Sequence, residues 1–285
     1  MDYAGFYINL DRSPQRRAEM EAMLAHHGLQ AAYPRFRASD GNELNFPNPA
    51  LKDGEMGCFT SHYRLMKENL GRDSPLHVVE DDVVFAGCMA DTIKSVIENG
   101  VLANYDIVYT DTWVPTSNGY FRTYKSLLDK AVVRNEEGRV TQATFSVIDM
   151  RDRPFATTAS YLVNPQSIAK LHDLYAAELT NGPAQPIDFF IRRQAMQGVL
   201  RIGCLFPFVT SIRFGLDLNT TIDGRDMEWL PALASNIARA SFFVDSDLSA
   251  YYKYVREVLP LPHDTHSQIL MHLLGFYFTP YYDGI

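Results

Sequence analysis

Apolar runs short enough to be strands alternate with amphipathic stretches over the first two-thirds of the chain, and this pattern predicts an α/β architecture with a largely parallel sheet. The first strand covers 5–10, and a helix follows at once. Ser13 is placed to cap it, Pro14 suits its first position and Gly28 stops it. A loop holding Asp40-Gly41 leads to a second helix over 55–70. There Met56, Phe59, Tyr63, Met66 and Leu70 recur at alternating spacings of three and four, which is one buried stripe. Glu55, Cys58 and His62 repeat with the same spacing on a neighbouring face, so this helix carries a core side and a chemically capable side. Further strands are expected at 76–79, 83–85, 105–110, 159–163 and 199–208, with helices over 166–179 and 187–197. Between 114 and 154 the chain is polar, with Asn118-Gly119 and Glu137-Gly138 as expected hairpin tips.

Beyond about 225 the texture changes to three helical patterns, at 229–240, 248–259 and 267–276. The expected division is therefore a nucleotide-binding and catalytic body over 1–225 and a helical appendage over 226–285. The chain has 285 residues, 46% of them hydrophobic and 21% charged, which excludes a disordered chain, a coiled coil and a fibrous repeat. A net charge of −8 argues against nucleic acid as a partner. The three cysteines, Cys58, Cys88 and Cys204, are too few and too scattered for a disulfide framework or a metal-site spacing, and a reducing, cytoplasmic compartment is expected. No basic leader opens the chain, and no stretch approaches the roughly 18 apolar residues of a membrane span.

The densest chemical signal is Glu80-Asp81-Asp82, three consecutive carboxylates directly after an apolar strand. That position is the carboxyl edge of the sheet, where open α/β folds bind ligands. Clustered carboxylates repel one another unless a cation neutralises them, and hard oxygen donors favour Mg²⁺ or Mn²⁺. A charged turn is the plain alternative for such a triplet.

The trio stands in Val78-Val79-Glu80-Asp81-Asp82-Val83. Upstream lie Gly54-Glu55-Met56-Gly57-Cys58-Phe59-Thr60-Ser61-His62 and Tyr7-Ile8-Asn9-Leu10-Asp11-Arg12; downstream come Ser160-Tyr161-Leu162-Val163 and Pro186-Ile187-Asp188-Phe189-Phe190. This ordered set resembles glycosyltransferase family 25, the group of bacterial lipooligosaccharide galactosyltransferases and collagen galactosyltransferases. The resemblance implies a GT-A fold and inverting transfer of a hexose, galactose or glucose, from a UDP-sugar to a hydroxyl of a surface glycan or lipid-linked glycan. It implies Mn²⁺ or Mg²⁺ held by Asp82 and Glu80, with Glu80 or Asp81 also facing ribose. Asn9, Leu10, Asp11 and Arg12 would line the nucleotide, joined by Glu55 and Ser61 of the helix motif. Of Arg16 and Arg17 one is expected only to solvate the helix, and Arg17 is carried forward as the nucleotide-facing one. Asp188 is the expected catalytic base, with His62 in reserve. The chain departs from the family pattern in Ala156-Thr157-Thr158, where a glycine is usual, and in the helices after 225.

Two other functions fit the residues less well. A metal-dependent phosphohydrolase would use the same trio, and a non-catalytic relative would bind nucleotide-sugar or glycan without turnover. The aromatic, apolar end of the chain (Phe276-Tyr277-Phe278, Tyr281-Tyr282) offers core packing or a homodimer contact, with contact at the inner face of the cytoplasmic membrane as the alternative.

Overall fold

The computed structural model describes residues 2–44, 50–114, 118–136, 140–213 and 238–245. In chain order the elements are β1 (Ala4–Asn9), α1 (Pro14–His26), β2 (Arg35–Arg37), α2 (Asp53–Glu68), β3 (Leu76–Glu80), β4 (Val83–Phe85), α3 (Met89–Glu98), β5 (Ile107–Tyr109), α4 (Asn118–Ala131), β6 (Val132–Arg134), β7 (Val140–Ala143), β8 (Ser146–Asp149), β9 (Ser160–Val163), α5 (Ile168–Asn181), α6 (Ile187–Met196), β10 (Ile202–Phe206) and β11 (Thr210–Ile212). Seven strands form the central sheet in the order β2-β1-β3-β9-β5-β10-β8. Five run the same way. β9 enters antiparallel between β3 and β5, and β8 is antiparallel on the outer edge. The fold is thus the expected α/β type with a mostly parallel sheet, interrupted by one central reversed strand.

The central strands are buried on both faces, which is why they read as continuous apolar runs. Their residues still alternate between two cores. Leu76, Val78, Ile107, Tyr109, Tyr161, Val163, Ile202 and Cys204 enter one core with Phe59, Leu65 and Met66 of α2, Tyr175 of α5 and Phe190 of α6. Val79, Val108, Leu162 and Leu205 enter the other with Met20 and Leu24 of α1 and Ile93 of α3. The register Leu76↔Val163↔Ile107↔Ile202 aligns this alternation across four strands. A one-residue slip would move every one of these side chains to the opposite core.

The stripe expected on α2 holds as far as Met66; Leu70 lies past the helix end and is 46% exposed, while Leu65 is buried instead. Asn118-Gly119 does not turn a hairpin: it opens α4. The other expected hairpin is present, β6 and β7 pairing antiparallel on either side of 137–139, which lie outside the described residues. Of the expected C-terminal helices, only the end of the first falls among the described residues, and 238–241 is helical there. The helices at 248–259 and 267–276, the membrane and dimer readings of the tail, and most of the appendage lie outside the described residues. Among the described residues no helix is long and apolar enough to cross a membrane.

Candidate active site

The carboxyl ends of β1, β2, β3 and β5 open on one edge of the sheet, and because β9 is reversed, the loop that precedes it reaches the same edge. That edge gathers Asn9, Arg37, Glu80-Asp81-Asp82, Asp111 and Thr158. The glycines of the α2 motif shape its wall. A Cβ on Gly57 would lie 2.7 Å from the Ser39 carbonyl oxygen and 2.8 Å from the Gly41 nitrogen, so only glycine lets α2 meet the 39–41 loop this closely. Ser61 fastens the same contact: its hydroxyl donates to the Gly57 carbonyl (2.6 Å) and accepts from the Ser39 N–H (2.8 Å). Glu55 caps α2 by accepting from the Lys52 N–H at 3.2 Å. Glu55 and Ser61, expected at the nucleotide, have structural partners here, Lys52 for the one and Gly57 and Ser39 for the other.

The three consecutive carboxylates point three ways. Asp81 turns inward, where Asn9 Nδ2 donates to it at 2.7 Å and Arg16 lies at 3.1 Å. It is 6% exposed, and Asn9 and Arg16 are its partners here. Burial pushes its carboxyl up to about 6; Arg16 and Asn9 oppose this shift, and the neighbouring Asp82 and Glu80 add to it. Asp82 pairs with the other arm of the Arg16 guanidinium through Oδ2. Its Oδ1 is buried with no hydrogen-bond partner among the described residues. Burial also raises Asp82, against the charges of Arg16, Arg239 and Arg213.

Glu80 turns toward α2. Thr158 Oγ1 donates to its Oε1 at 2.8 Å, and His62 Nε2 lies 3.5 Å away. Burial alone would raise its carboxyl, yet these two neighbours and Arg16 bring it below the usual carboxylate range. His62 is 1% exposed, and its Nδ1 meets the Tyr161 hydroxyl at 2.7 Å. Cys58 joins this group: one ligand-type atom each from Cys58, His62 and Glu80 lies within 4.8 Å of the others, a grouping that cysteine spacing did not reveal. The unusual Ala156-Thr157-Thr158 loop is what presents Thr158. Thr157 takes φ +117°, a left-handed conformation that suits glycine better than a β-branched residue.

Asn9 is fully engaged, donating to Asp81 and to the Ser13 carbonyl and accepting from Arg35 Nε at 2.9 Å. Asp11 is held by Arg35 and Arg37, both at 2.6 Å, and Arg12 by Asp40 at 2.7 Å. Leu10, Asp11, Arg12, Arg37, Asp40 and Arg64 line a cleft of about 410 Å³ between the β1 end and α2. Arg17 is not at this site: it pairs with Glu21 along the exposed side of α1, and the guanidinium at the trio belongs to Arg16. Asp188, half-buried in the first turn of α6, accepts from the Phe189 N–H at 2.9 Å; its charge, after burial and Tyr175, helps raise the Tyr109 hydroxyl at the end of β5.

Sequence reasoning missed three residues here. Asp111, fully buried just past β5, accepts from Arg239 Nε at 2.6 Å. The Arg213 N–H donates to the Asp82 carbonyl at 2.5 Å, and its side chain pairs with Glu19 of α1. An aspartate just after an apolar strand was a readable signal for Asp111. The two arginines come from more than 100 residues away, and nothing local marks them.

Solved structures similar to this chain include mouse xyloside xylosyltransferase 1 (TM-score 0.37, 11% identity, 70% of this chain and 84% of that one) and the galactosyltransferase LgtC with donor and acceptor sugar analogues (TM-score 0.37, 9% identity, 78% and 92%). A Drosophila pseudoobscura pseudoobscura glycosyltransferase 25 family member is 31% identical over 124 residues, covering 36% of this chain and 20% of its own length. The Mus musculus inactive glycosyltransferase 25 family member 3 is 30% identical over 125 residues, covering 36% and 21%. The aligned part thus spans about a fifth of these relatives. The family model described as glycosyltransferase family 25 (LPS biosynthesis protein) matches residues 4–191, from β1 into α6 and through every block around the acid trio. The chain belongs to glycosyltransferase family 25.

Proposed function

We propose that the chain is an inverting, metal-dependent glycosyltransferase that moves a hexose, galactose first and glucose second, from a UDP-sugar to a hydroxyl of a surface-glycan acceptor. The observation that carries this is Asp82. Just past the carboxyl end of β3, one carboxylate oxygen is buried without a hydrogen-bond partner among the described residues, and the neighbouring Glu80 adds to the negative charge there. Such an oxygen-rich, charge-dense donor set fits a hard divalent cation. Asp82 would hold Mn²⁺ or Mg²⁺, with Glu80 alongside; bound there, the ion offsets the negative charge that grows on the departing diphosphate.

The remaining work falls to the chain. The cleft between Asp11, Arg12 and Arg64 receives the nucleoside, and the guanidiniums of Arg16 and Arg213 face the diphosphate. His62 and Thr158 hold the Glu80 carboxylate in place. His62, at 1% exposure, is the positioning residue in this reading, and Asp188 is the base. The acceptor oxygen attacks the anomeric carbon as its proton passes to an Asp188 oxygen. The bond from that carbon to the diphosphate breaks on the opposite face, and UDP leaves. The configuration inverts because entry and departure are on opposite faces.

The test is UDP release from UDP-galactose and UDP-glucose, with and without glycan acceptors. Acceptor-stimulated UDP release that is lost in Asp82→Ala is the expected result. Release of inorganic phosphate would point to a hydrolase instead, and donor binding without release would mark a non-catalytic relative.

A further inference from the structure

A second cleft, of about 550 Å³, opens beside α6, lined by Trp113, Arg151, Asp152, Arg153, Arg192 and Met196. Three guanidinium groups thus face one carboxylate in a chain whose net charge is −8. Other arginines of this protein find carboxylates: Arg12 pairs with Asp40, Arg64 with Glu68, and Arg193, next to Arg192, with Glu178. Among the described residues, Arg151, Arg153 and Arg192 make no such pair. Arginines gathered on one concave surface with no carboxylate partner among the described residues are a ready-made receptor for a phosphate or carboxylate, which a guanidinium binds through two parallel N–H donors.

The position of the cleft relates it to the chemistry. Asp188, Arg192 and Met196 stand four residues apart, on one face of α6. Met196 is 64% exposed, which leaves an apolar surface there for a ligand. Trp113 follows Asp111 by two residues, and its backbone N–H donates to the Ala156 carbonyl at 3.1 Å. Two residues further on, Thr158 donates to Glu80. Trp113 and the 156–158 loop tie the cleft to the edge of the acid trio, from which it runs along α6 to Met196 and Arg151 at the opposite edge, where β8 ends against the start of β10. Trp113 offers a broad apolar ring face with a polar N–H at its rim, suited to an amphipathic sugar ring.

We propose that this cleft receives the acceptor and that the acceptor is an anionic sugar, whose phosphate or carboxylate is bound by Arg153 and Arg192 while its ring lies against Trp113. This rests on the transferase reading. Arg192, one turn from Asp188, offsets the repulsion between the base and an anionic acceptor.

The test is binding to the full chain, followed by the indole N–H signals of its two tryptophans, with Trp113→Phe assigning them. Glucose, glucose 6-phosphate, glucuronate and inorganic phosphate are titrated separately. The expected result is that at least one anionic sugar moves the Trp113 signal at concentrations about tenfold or more below those glucose needs. Arg153→Gln/Arg192→Gln then weakens that binding about tenfold or more, with other signals and UDP binding unchanged. Which anionic sugar responds separates phosphate from carboxylate. Equal responses to glucose and its anions overturn the charge selectivity. Inorganic phosphate binding as tightly as glucose 6-phosphate overturns the sugar site, and silence from every sugar overturns the cleft as the acceptor site. Absence of UDP binding in the wild type strikes at the transferase reading alone, because the sugar titrations contain no nucleotide.

Discussion

Replacing Arg239 with methionine tests how the 238–245 segment is joined to the sheet edge. Asp111 is fully buried and Arg239 is 4% exposed, with Arg239 Nε donating to Asp111 Oδ2 at 2.6 Å. Asp111 Oδ1 has no hydrogen-bond partner among the described residues, so once the guanidinium is gone the Thr210 hydroxyl is what still hydrogen-bonds the carboxylate. Breaking a buried pair on one side costs about 3–5 kcal/mol, a large part of the roughly 5–15 kcal/mol that stabilises a domain. At a urea dependence of about 1–3 kcal/mol per molar, the midpoint falls by about 1 M or more. The stranded carboxylate has one escape. Burial already raises Asp111 while Arg239 opposes it, so the variant retains a proton to still higher pH. In the unfolded chain the same carboxyl releases its proton near an ordinary value of about 3.9. Between that value and the raised native one, the folded state binds more protons than the unfolded state. Stability therefore falls as pH rises, by up to about 1.4 kcal/mol per unit, and the loss in Arg239→Met is greater at pH 8 than at pH 5. Asp111→Asn in the same background removes the charge and recovers most of the stability, together with the added pH slope. Urea unfolding of the wild type, the single variant and the double variant at both pH values reads all of this. Arg239→Met within about 0.5 kcal/mol of wild type at pH 8, or a double variant no more stable than the single, would refute the reasoning.

Arg16→Ala is expected to weaken UDP binding about tenfold or more, whereas Arg17→Ala, which loses only an exposed helix pair, leaves binding unchanged and stability within about 0.5 kcal/mol; calorimetry and thermal unfolding check the contrast. Asp188→Asn retains UDP-sugar binding and loses transfer, measured as acceptor-dependent UDP release, and retained turnover would move the base elsewhere. His77 is buried between Tyr33 and Ser160, and burial lowers it to about 3. The unfolded chain takes up that proton near 6.5, so the stability due to neutral His77 is full above that pH and is lost as pH falls toward 3. His77→Gln should flatten the acid side of the stability curve, and an unchanged slope between pH 6.5 and 4.5 would contradict the assignment.

Element positions were readable because periodicity reports burial, and burial is what these strands and helices share. Strand direction was not. A strand buried on both faces is apolar throughout whichever way it runs, so Ser160–Val163 gave no sign of reversal, and that reversal is what brings Thr158 to the acid trio. Asn118-Gly119 read as a turn from two residues, but Tyr124 and Leu128 pack into the main core and carry the segment into a helix. The acid trio was legible as a site, but the three directions of its side chains were not, since each is chosen by a partner distant in sequence: His62, Asn9 and Arg16. The choice between Arg16 and Arg17 was present in the pattern. Arg16, Met20 and Leu24 follow one another at four-residue spacing, so Arg16 shares the inward face of α1, while Arg17 and Glu21 share the outer one.

The central claim is that Asp82 and its neighbours form a divalent-cation and nucleoside-diphosphate site. Calorimetric titration of UDP into the full chain, once with Mn²⁺ and once with EDTA, tests it most directly. The account predicts binding with Mn²⁺ that is lost in EDTA and lost again in Asp82→Ala. UDP binding of equal strength in EDTA, or with Mn²⁺ in Asp82→Ala, would contradict it.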